Sequence, residues 1–384
     1  MTDESVQPAF HGPSGSARAD GPDAGAWTAS AGTSVAPAVP VVAALREIAF
    51  WRERARTDTH RVMAYRNAAD LVAGLSGDEI AALGTVQAAW KRLPGIGAST
   101  AAAICSALAG TVPRALVEAR AEARELLADD DAASRALAAR LRGDLHAHSH
   151  ASDGSASIAE MAAVARALGR EYQAITDHSP RLRVANGLSA DRLRAQLDEV
   201  TALNAAFAAE GADFRVLTGI EVDILPDGTL DQDEALLLRV DVVVASVHSE
   251  LRMEREAMTV RMVAAAANPR VDVLGHCTGR LVEGERGVRP PSEFDAEVVF
   301  EACAQFGTAV EISSRPERRD PPLDLLRLAV EADCLFSIDS DAHAPGQLAW
   351  LPWGAQRAVA GGVDPDRIVT TWSRDRLLAW SRGE

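Results

Sequence analysis

The chain has 384 residues, 47% hydrophobic and 24% charged, which allows two or three packed domains and excludes collagen-like, wholly disordered and coiled-coil classes. Its formal net charge of −16 argues against a protein that coats polyanions over its whole surface. Of its 39 basic residues only Lys91 is lysine, so lysine-dependent chemistry has a single possible site.

Residues 1–40 are rich in Ala, Gly, Ser, Pro and Asp without apolar periodicity, which predicts a disordered tail. From Val41 apolar residues recur at helical spacing (Leu45, Ile48, Ala49, then Met63, Ala64, Ala68, Leu71), so 41–119 reads as a small all-α domain and 120–142 as a charged, alanine-rich helical connector. From Gly143 to the end, short β-branched runs at 144–148, 172–176, 214–224, 240–247, 271–275, 308–313 and 335–339 alternate with helical stretches such as 158–168, 190–209, 254–267, 293–305 and 322–331. Strand and helix alternating about seven times predict an α/β fold with a parallel sheet, and in a closed barrel of this kind chemistry sits at the C-terminal strand ends. No segment reaches the ~18–20 apolar residues of a membrane span and no basic-then-apolar leader is present, so a cytoplasmic protein is expected. Cys105, Cys277, Cys303 and Cys334 lie far apart, which predicts buried, reduced thiols.

The histidines fall at those strand ends. His146 and His148 end the first run, His178 the second, His248 the fourth and His276 the fifth, while Asp341 and His343 follow the seventh and Glu221 lies near the end of the third. An i, i+2 pair places both side chains on one face of an extended strand, so His146/His148 and Asp341/His343 are chelating pairs. A lone strand-end histidine is ordinarily a hydrogen-bonded structural residue; six of them beside three carboxylates are not explained that way. With Asp153 in the Ser-Asp-Gly turn, these nine donors suit two or three divalent ions, and a carboxylate such as Glu221 can bridge two. His150 points off the chelating face and reads as a substrate contact or a solvated residue. Asp177 fits either an imidazole acceptor or a turn residue. Phosphate recognition falls to loop arginines, Arg280 and Arg315 first, then Arg181, Arg183, Arg318 and Arg319. His11 and His60 have no assigned role.

The strings GDLHAHSHASDG, ITDHS, GIEVD, SVHSE, GHCTGR and SDAH, in this order, resemble the motif set of the polymerase and histidinol phosphatase (PHP) domain across roughly residues 143–380. The resemblance implies a distorted seven-stranded (β/α)7 PHP barrel, three divalent ions (zinc, manganese or iron) and phosphoester hydrolysis by metal-activated water. By motif, His146, His148, Glu221 and Asp341 would hold one ion. Glu221 would bridge to a second held with His248 and His276, and Asp153, His178 and His343 would hold the third. One departure is Glu311-Ile-Ser-Ser, with serine where the family has asparagine. Amidohydrolases share the His-x-His strand end, but many bridge their metals through a carboxylated lysine, and Lys91 lies outside the barrel.

Leu93-Pro-Gly-Ile-Gly-Ala-Ser-Thr, preceded by Lys91 and Arg92, resembles a helix-hairpin-helix, whose Gly95 and Gly97 would let backbone amides approach a DNA phosphate. Residues 41–119 resemble the N-terminal domain of family X DNA polymerases, and over 41–115 nine basic against six acidic residues leave a positive balance. Only residues 120–142 separate this domain from the barrel, so no polymerase palm fits. Three readings follow: a phosphoesterase acting on DNA ends or nucleotides, including 3′–5′ exonuclease action; a small-molecule phosphatase of the histidinol-phosphate type; and a DNA-binding module with a structural barrel, which the complete ligand set disfavours. Some members of the polymerase family excise a sugar phosphate through a lysine in the helix after the hairpin, where this chain has Ser99, Ala101 and Ala103. Borohydride treatment on an incised abasic DNA is therefore expected to trap no covalent adduct; an adduct would refute the absence of lyase chemistry.

Overall fold

A computed structural model describes residues 38–125, 131–284 and 287–384, so the expected tail, up to residue 37, lies outside the described residues. The helical part runs α1 (Ala38–Arg54), α2 (Thr59–Ala73), α3 (Gly77–Leu83), α4 (Gln87–Trp90), α5 (Ala98–Leu108) and α6 (Arg114–Glu125). Local chemistry sets these limits. Asp58 accepts from the Arg61 amide at the start of α2, Ser76 and Glu79 form a capping box on α3, and Gly95 takes φ +81° in the turn before α5. The last helix crosses the boundary expected at residue 119, because Arg120 is anchored to the buried Glu47 of α1 at 2.9 Å.

On α1, Val41, Leu45, Ile48, Ala49, Phe50 and Trp51 are all buried. So wide an apolar surface cannot be covered by one neighbour, and α1 packs against α2, α5 and α6 on one side and against the barrel on the other.

The barrel begins after α7 (Ala132–Arg140). Its elements are β1 (Gly143–Asp144), α8 (Ile158–Ala167), β2 (Tyr172–Ile175), α9 (Ala190–Ala209), β3 (Arg215–Asp223), α10 (Glu234–Leu237), β4 (Val242–Ser246), α11 (Arg255–Ala266), β5 (Val273–Leu274), α12 (Ala296–Phe306), β6 (Ala309–Ser313), α13 (Leu323–Glu331), β7 (Phe336–Asp339), α14 (Leu351–Gly361) and α15 (Arg374–Ser381). The seven strands are parallel and lie in sequence order, β1 to β7. Alternate residues divide the two faces. Leu217, Val242, Val244, Val273 and Ala309 fill one apolar cluster with Tyr172 and Trp372, while Val243, Ala245, Leu274, Val310 and Ile312 join another with residues of α11, α12 and α13.

Two buried aspartates close the seam between β1 and β7 reciprocally. Asp339 accepts the Leu145 amide at 2.7 Å and Asp144 accepts the Ser340 amide at 3.1 Å, and a parallel bridge pairs Ala147 with Ala342 just above. The result is a nearly closed distorted barrel whose C-terminal rim carries His146, His148, Asp341 and His343 on adjoining segments. All four cysteines are buried and none is disulfide-bonded.

One apolar cluster runs from the helical part into the barrel, joining Val41, Leu45, Ile48 and Phe50 to Ala147, Met161, Ala342 and Leu348. The contact is close where the 3-10 turn Pro345–Trp350 meets α1: a Cβ on Gly346 would stand 2.2 Å from the Phe50 carbonyl oxygen. Gly346→Val is therefore expected to destabilise the protein by about 1–3 kcal/mol through overpacking, measurable as a lower denaturation midpoint; an unchanged midpoint would show that α1 is not seated on this turn.

Candidate metal centre

The nine donors expected from the sequence converge at the C-terminal mouth. They form four overlapping sets whose donor atoms lie within 4.8 Å of one another: His148, Asp153, His178 and His343; His146, His148 and Asp341; His146, Glu221 and His276; His178, Glu221 and His248. Glu221 belongs to two of them and lies within 4 Å of five of the imidazoles. Its Oε2 lies 2.9 Å from His178 Nδ1 and 3.3 Å from His146 Nε2, and its Oε1 lies 3.0 Å from His276 Nε2 and 3.2 Å from His248 Nε2. Asp341 Oδ1 is 3.4 Å from His148 Nε2, and Asp153 Oδ2 is 3.4 Å from His343 Nε2. His178 faces Glu221 through one nitrogen and Asp153 through the other, at 3.6 Å, so it stands between two sets.

The fit to cations can be tested from the protein's own hydrogen bonds. Both oxygens of Glu221, Nε2 of His146, both ring nitrogens of His148 and Nδ1 of His178 are buried and carry no hydrogen bond. Folded proteins rarely leave buried polar atoms unpaired, and here the unpaired atoms are mixed imidazole and carboxylate donors that suit divalent ions. The cluster fits a metal centre.

Neighbouring acceptors orient the imidazoles. Glu311, in the middle of β6, faces His146 Nδ1 at 2.8 Å, and its other oxygen accepts the His276 amide. The Asp341 carbonyl faces His343 Nδ1 at 2.9 Å. At His146 the Glu311 carboxyl group on Nδ1 leaves Nε2 facing Glu221, while at His343 an Arg315 N–H also stands 2.9 Å from Nδ1, so carbonyl and guanidinium together hold that edge of the ring and leave Nε2 facing Asp153. Asp223 accepts the His248 amide at 3.1 Å.

Charges follow this geometry. Burial alone would lower His146 and His248, but the carboxylates outweigh it: Glu221 and Glu311 hold His146 well above its ordinary value, and Glu221 and Asp223 raise His248 to about 9. Burial lowers His148 and His276 to about 3, aided by His343 and His178 at the former and by Arg318 at the latter. Burial would raise Glu221 and Asp341, yet the histidines around Glu221, and Arg315 and Arg318 beside Asp341, hold both well below the usual carboxylate range.

The remaining residues singled out from the sequence separate. Arg280 donates to the carbonyls of Arg318 and Arg319, so its guanidinium braces a loop. Arg315 donates to the Asp341 carbonyl at 2.8 Å and to Glu317 at 3.0 Å. Arg318 donates through Nε to Asp341 Oδ2 at 3.0 Å, and among the described residues its two terminal nitrogens carry no hydrogen bond, which makes it better placed for a phosphate than Arg280. Arg181 and His150 are exposed. Asp177 accepts from Ser149 and Ser152 in the loop after β1 and from Gln196 of α9, so it ties these segments together, and among the described residues no hydrogen bond joins it to an imidazole. Lys91, Arg92, Gly95 and Gly97 are exposed, but the Gly97 amide already donates to Thr100 Oγ1 at 2.9 Å. Glu311 was visible in the sequence only as part of a motif; a carboxylate inside an apolar strand run was the signal for its role.

Among the described residues no helix is long and apolar enough to cross a membrane. The fold and the donor set define a parallel α/β barrel with a candidate metal centre at its C-terminal mouth. The PHP domain model matches residues 144–312 and a helix-hairpin-helix domain model matches residues 37–111, so the chain carries a PHP domain preceded by a helix-hairpin-helix domain. The DNA polymerase/3′-5′ exonuclease PolX of Bacillus subtilis (strain 168) is 40% identical over 234 residues, 61% of this chain, and the chain spans 40% of that relative's length. A probable phosphatase of Thermoanaerobacter sp. (strain X514) is 27% identical over 240 residues, covering 59% of this chain and 89% of that protein. The solved histidinol phosphate phosphatase of Lactococcus lactis subsp. lactis Il1403, complexed with zinc, L-histidinol and phosphate, has a TM-score of 0.43 and 19% identity over 58% of this chain and 95% of its own.

Glu311→Gln keeps the side-chain volume but cannot present an acceptor to both the His146 ring and the His276 amide. Metal affinity, followed by calorimetric titration, is expected to fall on the order of 10–100-fold; an unchanged affinity would remove Glu311 from the centre.

Proposed function

We propose that the protein is a divalent-metal-dependent phosphoesterase acting on DNA ends or nucleotides, including 3′–5′ exonucleolytic hydrolysis, in the cytoplasm. The observation that carries this reading is Glu221, a buried carboxylate with both oxygens unpaired at the centre of four imidazoles. In the proposed assignment Glu221 bridges ions held by His146, His148 and Asp341 on one side and by His248 and His276 on the other. Asp153, His178 and His343 hold a third, with His148 close enough to share. Zinc, manganese and iron all suit these donors. Bound there, the ions supply Lewis acidity toward the phosphoryl group and an activated water.

The chain's own residues do the rest. Glu311 and the Asp341 carbonyl hold the His146 and His343 rings with Nε2 facing inward, and Arg318 offers terminal donors beside Asp341 for a phosphate oxygen. Lys91 and Arg92, exposed before the Gly95 turn, meet the nucleic-acid backbone. The match of 59% of the chain to 89% of a probable phosphatase supports the second reading, a small-molecule phosphatase of the histidinol-phosphate type.

Deleting the helical part does not separate the two, because its core is continuous with the barrel's. Point changes do. With manganese or zinc added, single-stranded DNA, 3′-phosphorylated ends and histidinol phosphate are compared in wild type, in Asp341→Ala with His343→Ala, and in Lys91→Ala with Arg92→Ala. The first double variant is expected to lose turnover on every substrate. The second is expected to weaken DNA turnover, with a shallower salt dependence by roughly one unit of slope per lost phosphate contact, and to leave histidinol phosphate untouched. Turnover of histidinol phosphate alone would select the second reading; equal rates in wild type and the Asp341/His343 variant would reject both.

A further inference from the structure

The segment carrying Asp341 and His343 is held from outside the barrel. Beyond His343 the chain enters the turn Pro345–Trp350, which lies on α1. Glu53 of α1 accepts the Gly346 amide at 2.8 Å and is itself fixed by Arg66 of α2 at 2.5 Å. Trp350 Nε1 donates to the carbonyl of Arg54, the last residue of α1, at 3.1 Å. The same turn faces the centre: Gln347 accepts the His343 amide at 2.7 Å, and the Arg315 guanidinium stands 5.6 Å from the Trp350 ring centroid.

Arg315 completes the path. It donates to the Asp341 carbonyl at 2.8 Å, the oxygen that also faces His343 Nδ1, and it lies 3.6 Å from Asp341 Oδ1. Its other arm is bound to Glu317, whose second oxygen is 3.9 Å from Arg56 Nε just beyond α1. Arg56 is also paired with Glu283 at 2.8 Å. Two routes therefore run from the end of α1 to one buried arginine, and that arginine touches two of the nine donors, Asp341 and, at 2.9 Å from its Nδ1, His343. Trp350, Glu317 and Arg56 are not themselves candidate ligands.

We propose that the end of α1 is a positioning element for the metal centre: Trp350 and Glu317 transmit its placement to Arg315, which holds the His343 ring at Nδ1 and steadies Asp341 through its carbonyl and carboxylate. The proposal rests on the phosphoesterase reading only for the existence of the centre. It gives the helical part a second task beside meeting nucleic acid. A neighbour that holds a ligand's orienting group acts on metal affinity without donating an electron pair to the ion.

The test uses the full chain. Trp350→Phe keeps a ring beside Arg315 and removes the N–H that reaches Arg54. Arg56→Gln removes a cation at a part-exposed site, and Arg56→Lys restores it. Zinc content is measured after gel filtration, zinc affinity by competition with a chromophoric chelator, and thermal unfolding on the metal-free proteins. Expected is a loss in affinity for the most weakly held zinc of about tenfold in Trp350→Phe, a smaller loss in Arg56→Gln, and recovery in Arg56→Lys. The metal-free Arg56→Gln protein should unfold with the wild type, which a merely structural role for the contact would not combine with weakened zinc binding. Wild-type zinc content and affinity in both Trp350→Phe and Arg56→Gln would overturn the positioning role while leaving the phosphoesterase reading intact. A wild-type protein that binds no zinc or manganese would overturn the reading itself, and the proposal with it.

Discussion

The structure depends on one constraint: Glu221 is a carboxylate taken out of water, 1% exposed, without a hydrogen bond to either oxygen. An isolated ionised carboxylate in such a place is strongly unfavourable. It is tolerated because the adjoining segments deliver imidazoles to it, and β3 is the strand long enough to place residue 221 level with the loops after β2, β4 and β5. The bridge between His178 and Glu221, above the regular β2–β3 pairing, shows how the chain after β2 stays against β3 so that this imidazole reaches the carboxylate. Protons on His146 and His248 can balance the charge of Glu221, as the raised values of both groups indicate. Cations in their place satisfy the same field with more charge, so the protonated and the metal-loaded centres are alternative solutions of one electrostatic problem.

Beneath the donors lies a second set of buried carboxyl groups, which burial pushes toward their neutral forms. Glu311 fixes His146, while Asp144 and Asp339 bind each other's strand through backbone amides. The seam aspartates explain how a strand of two residues can close a barrel. The short ladder offers few backbone bonds, and carboxylates from positions just below the rim supply the missing acceptors. Seam and centre thus share residues: Asp144 also accepts the His146 amide at 3.2 Å. Loosening the seam would move a donor.

Much of this was legible in the sequence, for identifiable reasons. The helix 190–209 has the expected limits because Ser189 caps it and its apolar spacing is regular. The strand-end histidines were legible because a parallel barrel sends each strand's C-terminus to one rim. Strand lengths were overestimated at 144–148 and 271–275, where the residues after the short ladders turn away to point donors into the mouth, so that extended-looking sequence becomes loop. Arginine roles were not legible. Composition cannot tell a guanidinium that braces carbonyls, as Arg280 does, from one that, among the described residues, keeps its terminal donors unpaired, as Arg318 does. Nor could helical periodicity reveal what covers α1, since Phe50 and Trp51 widen its apolar face without naming the partner.

That partner changes what the helical part would contribute under the proposed action of an acidic chain on DNA ends. A domain on a flexible tether raises the local concentration of its ligand but does not decide which bond reaches the catalytic mouth. A domain whose core is continuous with the barrel, and whose α1 shares a turn with His343, holds its basic loop at a set distance from the donors. Under the proposed function, a nucleic-acid backbone gripped there would arrive in register. On that proposal, the negative total charge would discourage binding elsewhere on the surface, leaving the locally positive helical part and the metal-loaded mouth as the two places to meet phosphate. Acidity of the whole is in this way compatible with a phosphate substrate and narrows where that substrate can lie.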